Sequence, residues 1–262
     1  MHGSEPVRHR LASRGLQDNF ADDEKMVTIL DVATGAVVSA REGIESNLVE
    51  DNFNSVVTPA SVRNDELEQP WAGIGSAALE LAGAVSPANA EEYDTRAAVC
   101  GVFAVHVVRS HAYLEAHRPI VEHGDDSWFV DSMARVYDEI VTWFATRHLQ
   151  VITSPPELPG FVLSDVPFVH IDSQTGRYGY RDGLAVDDAD LIVAPLTRRT
   201  VVCLTAEPMD HFALTTKKAT QLINAALGRS GRELVASHPD DAREARRVFA
   251  HLDDLPVAKL LA

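Results

Sequence analysis

Arg109 is the side chain whose position most demands a chemical explanation. It follows the apolar run from Ala97 to Val108. At about 100° per residue it shares one helical face with Val99, Val102, Phe103, His106, Tyr113 and His117. A guanidinium that continues a core stripe stays partly buried and therefore requires an anion. Two readings stand side by side. In one, Arg109 clamps an anion or phosphate, Tyr113 lines the same substrate face, and His106 is the acid/base one turn away. In the other, Arg109 closes a structural ion pair with Asp165.

Ser164 and Asp165 interrupt the most apolar stretch of the chain, Phe161 to Val169. An Asp there must be paired or hydrogen-bonded. It can ligate a metal, act as a general base, orient a His, or cap the bend before Pro167 through backbone N–H groups. Ser164 is a weaker nucleophile candidate and is placed with the substrate-binding residues. The Gly-x-Ser-x-Gly elbow is missing, because Val162 and Val166 stand where its glycines belong. Arg109 and Asp165 are expected to meet at the floor of one site, because each alone would be an unpaired buried charge.

Other constellations are weaker. Asp182, Asp187, Asp188 and Asp190 could hold a hard cation, but they lack the Gly and distal Glu of an EF-hand loop, and a solvated loop explains them better. The His spacings do not match a zinc helix, and neither common phosphate-binding Gly loop occurs. No cofactor is indicated.

The elements that must position these residues follow from periodicity. Met26 to Val38 alternates around Thr34-Gly35 and predicts a β-hairpin over about 26–39. Residues 40–60 read as irregular. A helical region spans about 62–147: a first helix from Arg63 to Leu81 broken near Pro70, a buried one from Pro87 to Ala116 capped by Ser86, and a third from Asp125 to Thr146. The part from 148 to 262 is sheet-rich. Strands are predicted at Leu149–Thr153, Phe161–Val169, Leu191–Thr197, Val201–Leu204 and Glu233–Ala236. Helices are predicted at Thr216–Leu227 and from a cap at Asp240 to His251. The prolines of 154–160 make a rigid connector in which Gly160 supplies backbone freedom. The expected architecture is α+β, a single domain over 1–262, with a buried central helix and neighbouring helices packed on a mixed or antiparallel sheet.

Composition narrows the partners. The formal charge is −16, from 39 acidic and 23 basic side chains, which opposes general nucleic-acid binding but leaves room for a small anionic ligand. No apolar run approaches the roughly 18 residues that span a bilayer. Only two cysteines occur, Cys100 and Cys203, both in apolar runs. Buried free thiols and a cytoplasmic location are expected.

Several motifs together resemble a family of bacterial and phage proteins that carry a domain of unknown function, number four-two-three-eight. They are His9 ahead of Leu16-Gln17-Asp18-Asn19-Phe20, the Thr34-Gly35 turn, Glu68, His106-Val107-Val108-Arg109, Ser164-Asp165-Val166-Pro167, Pro195-Leu196-Thr197 and Asn224. The chain departs from the family in having no Pro after the opening His, His106 in place of Gln, and Gly75 where an acid is expected. The resemblance implies a site joining His9, His106, Arg109 and Asp165 as catalytic residues, with Asn224 on the substrate. The resemblance gives layout and candidate residues but no reaction; the candidate residues themselves lead to the expectation of a hydrolase-like enzyme acting on an anionic substrate such as a phosphodiester. The competing expectation is a non-catalytic interaction module of a phage or bacterial defence system.

Overall fold

Strand β2 (Met26–Asp31) is buried along both faces, and its neighbour β3 (Val37–Gly43) is mostly exposed. Asp31 closes the hairpin between them, its Oδ1 accepting from the Thr34 amide at 2.8 Å and from the Thr34 hydroxyl. Gly35 adopts φ +65°, and a Cβ there would stand 2.9 Å from the amide of Ala250. Only glycine meets both requirements. The protein is seen here in a computed structural model that describes residues 8–10, 14–44, 49–51, 56–57, 63–64, 79, 82–108, 110, 126–179, 182–208, 216–231 and 234–251.

The architecture is α+β, and every strand pairing among the described residues is antiparallel. Short strands β1 (Arg8–Arg10) and β4 (Val49–Asp51) pair, as do β5 (Val56–Val57) and β6 (Arg63–Asn64). Residues 40–60 are therefore not irregular throughout, and the helix expected from Arg63 does not begin there. Three pairing residues are enough to fix a local register but leave no periodicity to read.

Two larger sheets form the body. One has the order β3-β2-β13-β8, with β8 at Leu163–Ser164 and β13 at Leu234–Ser237. The other has the order β10-β9-β11-β12-β7, with β7 at His148–Thr153, β9 at Val169–Asp172, β10 at Arg177–Tyr178, β11 at Leu191–Thr197 and β12 at Thr200–Thr205. The run expected as one strand from Phe161 to Val169 is split between them. Its start belongs to the first sheet and its end to the second, with a buried bend at 165–168.

Helix α1 (Arg14–Asp18) is a single short piece. Helix α2 (Tyr93–Val108) is buried at every residue from Ala98 to Val108, so it has no wet face and behaves as a core element. It packs along α3 (Asp126–Ala145), with Phe103 edge-on to Phe144 at 5.5 Å. The expected cap at Ser86 does not start α2. Asn89 Oδ1 instead accepts from the Ser86 amide at 2.7 Å in a separate turn, and the helix begins at Tyr93. Its expected extension to Ala116 lies outside the described residues, apart from Ser110.

Helix α4 (Lys217–Ser230) bridges the sheets, touching β8, β9 and β11. Thr216 caps it by accepting from the Ala219 amide at 3.2 Å. Helix α5 (Ala242–Ala250) packs on α4. Asp240 does not cap α5 as expected. A 3-10 turn over Pro239–Asp241 precedes the helix, and His238 Nδ1 receives the Asp240 amide at 3.2 Å. One cluster of buried hydrophobic side chains runs through α2, α4, α5 and both large sheets. Cys100 and Cys203 belong to it, free and buried. Among the described residues no helix is long and apolar enough to cross a membrane.

Candidate functional site

The Ser164-Asp165 pair sits where the chain leaves the first sheet. The Ser164 hydroxyl donates to the Val166 carbonyl, and the Asp165 amide donates to the Leu234 carbonyl at 3.2 Å. Gly231, just past α4, lies against both residues. A Cβ there would stand 2.9 Å from Asp165 Oδ1 and 3.1 Å from Ser164 Cβ. Both side chains are buried. The hydroxyl of Ser164 is thus directed at its own backbone, the behaviour of a turn-forming Ser.

Asn224 is buried on α4 and holds the approach to that bend at two points. Its Nδ2 donates to the Gly160 carbonyl at 3.0 Å, and its Oδ1 accepts from the Val162 amide at 3.1 Å. The segment has no strand partner at these positions, so the side-chain amide takes the place of one. His106 is buried on α2. His9 lies in β1 opposite Glu50 in register, and its side chain lies outside the described residues. Arg109 and Tyr113 lie outside them altogether, and so does the expected meeting of Arg109 with Asp165.

Within the acidic loop, Asp190 is held by Ser173. Its Oδ1 accepts from the Ser173 amide at 3.0 Å, and its Oδ2 accepts from the Ser173 hydroxyl. No group of three His, Cys, Asp or Glu placed to hold a metal ion occurs among the described residues.

Two arginine-bearing regions at opposite ends of β12 were not singled out from the sequence. The first is the β11–β12 turn. Arg198 Nε donates to Asp241 Oδ2 at 2.6 Å, its Nη2 lies 3.5 Å from Asp240 Oδ2, and its Nη1 faces His238 Nε2 at 3.3 Å. Both ring nitrogens of His238 therefore face N–H donors. A neutral imidazole can accept one of them and an imidazolium neither. Burial and the neighbouring guanidinium accordingly hold the His238 pKa below its ordinary value, against the pull of Asp240 and Asp241. Arg199 Nη1 donates to the carbonyls of Pro155 and Leu158. The backbone joins in: Phe161 N donates to Arg198 O and Ser154 N to Arg199 O, each at 2.8 Å. This end is a closed lock between the turn, the Pro-rich connector and the start of α5.

The second region is the junction of α3 and β7. Arg147 is 9% exposed, and its guanidinium lies 4.0 Å over the Trp143 ring. Among the described residues its side chain makes one hydrogen bond, a long one from Nη1 to the Asp190 carbonyl at 3.5 Å. Among the described residues Asp190 is the acid that bears on it, and that carboxylate is already engaged by Ser173. Among the described residues no carboxylate pairs with Arg147. Burial accordingly pushes its pKa down. The Arg147 carbonyl is fixed by Arg96, which also donates to the Ala145 carbonyl at 3.0 Å, so the stack rests on a rigid helix end. The signal for this pair was present as Trp143-x-x-x-Arg147, a spacing that puts cation and ring on one helical face.

No family model, curated protein or solved structure matches this chain.

Proposed function

We propose that the protein is a binding module for a small anion, a phosphate or carboxylate group of a ligand, held at Arg147. The carrying observation is a buried arginine whose guanidinium is stacked on Trp143 and has no carboxylate partner among the described residues. A buried charge is costly unless a counter-charge offsets it. A planar fork held flat on an indole loses little freedom when it meets an oxyanion, and its remaining N–H groups suit two parallel hydrogen bonds. The test is a titration with inorganic phosphate, and separately with citrate, followed by tryptophan emission. A saturable change that disappears in Arg147→Gln and in Trp143→Phe supports the site. No saturable change in the wild-type protein overturns it.

The second reading is the hydrolase-like enzyme. What supports it is the burial of His106 on α2 and of Asp165 at the inter-sheet bend, two ionisable groups set in largely apolar elements. Its family setting, the domain of unknown function named above, is part of that reading. A chromogenic phosphodiester assay decides it: turnover that falls in both His106→Gln and Asp165→Asn supports an enzyme. Turnover that is absent, or unchanged in those variants, rejects it.

A further inference from the structure

The chain carries a net charge of −16, yet its cations are not evenly spread. Lys217 and Lys218 open α4, and Arg243, Arg246 and Arg247 line the outward side of α5. All five are exposed. The buried side of α5 is Ala245, Val248 and Phe249, which leaves the arginines facing away from the core. Among the described residues Glu244 is the one acid set between them. It takes Lys217 Nζ at 3.2 Å, Arg247 Nη1 at 3.1 Å and Gln221 Nε2 at 2.7 Å. Lys218, Arg243 and Arg246 have no carboxylate partner among the described residues. Asp240 and Asp241, at the head of α5, are turned to Arg198.

This concentration works against the fold. Lysines in the first turn of α4 oppose the positive end of its dipole; the helix has no acid of its own in that turn, and Glu244 of α5 reaches Lys217 and not Lys218. Like charges at i, i+4, such as Arg243 and Arg247, repel. In a strongly acidic chain, cations scattered over the surface would cost less than cations collected on one face. An anion seated on the face would remove the cost.

We infer that the α4–α5 face docks a short acidic peptide segment of a partner protein. The size of the patch selects the partner. Residues 243–247 rise about 6 Å along α5, and packed helix axes lie about 8–10 Å apart. A few carboxylates cover that area. A long polyanion such as nucleic acid would run past it, and the net charge of −16 opposes its approach. This proposal does not depend on the anion site proposed at Arg147.

The experiment uses the full chain and a fluorescent peptide of alternating Asp and Glu, read by anisotropy at low salt. The wild-type protein is compared with Arg243→Gln/Arg246→Gln, which leaves the Glu244 contacts in place. The control is Arg135→Gln/Arg177→Gln, an equal change of charge at exposed positions elsewhere. Melting curves verify that both variants fold. The face variant is expected to bind about tenfold more weakly and the control as wild type, with affinity falling as salt rises. Absence of peptide binding to the wild-type protein overturns the inference, and so does equal weakening in the control. A single-stranded oligonucleotide that binds this face while the peptide does not would overturn the choice of partner.

Discussion

The two ends of β12 use arginine in opposite ways. At the β11–β12 turn, Arg198 meets a buried carboxylate, an exposed one and a neutral imidazole, and Arg199 is spent on two carbonyls. At the other end Arg147 has a ring beneath it and one long bond to a carbonyl. Burial depresses the pKa of Arg199 and Arg147 alike, so burial alone does not separate them. Satisfaction does. A guanidinium whose donors are consumed by the protein holds elements together, whereas one buried with no carboxylate partner among the described residues is the one proposed above to take a ligand.

Substitutions can break that contrast. The largest effect is expected at Gly160, which lies inside the lock. A Cβ there would collide with Asp241 Oδ2 and stand 2.7 Å from Arg198 Cγ. The requirement is space, not the backbone freedom expected from the sequence, since Gly160 is not among the positive-φ residues. Gly160→Val should cost about 3 kcal/mol or more. Melting at the wild-type temperature would show that the lock is loose.

Arg198→Leu should cost about 2 kcal/mol, because it leaves Asp241, 7% exposed, without its guanidinium. Arg147→Leu should stay within about 1 kcal/mol of zero, because the lost ring contact is offset by relief of a buried charge. Denaturant titration of both variants measures the difference. Equal losses at the two ends would erase the distinction drawn here.

A smaller effect is expected from pH. The folded-state pKa values of His170 and His238 both lie below the ordinary 6.5, His170 chiefly by burial although its Nε2 meets the Leu184 carbonyl at 2.8 Å. The unfolded chain therefore binds protons first as pH falls. The stabilisation is complete above the unfolded value and is lost as pH drops through 6.5 toward the folded pKa. Stability should decline between neutral and mildly acidic pH, and His238→Gln should flatten part of that slope. A rise in stability over the same range would contradict the assignment of a neutral His238.

The smallest signal belongs between the ends. Cys203, midway along β12, has its thiol pushed up to about 12, and Cys100 to about 11, both chiefly by burial. Neither should react with maleimide in the native state at neutral pH. Prompt labelling would mean that the sheet opens.

What the sequence revealed was what is local. The 26–43 hairpin, α3, β7, the β11–β12 pair and α4 each carry their own period and their own turn or cap. The sharing of 161–172 between two sheets was not legible, because the stretch is buried on both sides and shows no alternation to mark where one strand stops. Short strands such as β5 and β6 offer too few residues for any period. The site residues show the limit of the polar-in-apolar signal. It marked Ser164, and the resemblance marked Asn224, as substrate-binding, whereas both side chains contact backbone here; a clamp on the backbone and a contact to substrate look alike in sequence. Arg147 was passed over because the helix around it is amphipathic, and an Arg at its end reads as solvated.

The place of β13 has a consequence for how the chain is made. It lies between β2 and β8, pairing Ala236 with both Ile29 and Leu163. The first of these partners leaves the ribosome some two hundred residues before β13 does. Throughout that interval the inner edge of the 26–43 hairpin has no neighbour to cover it. Closure of this sheet is a late, long-range event, and the hairpin edge stays open to other strands until β13 emerges.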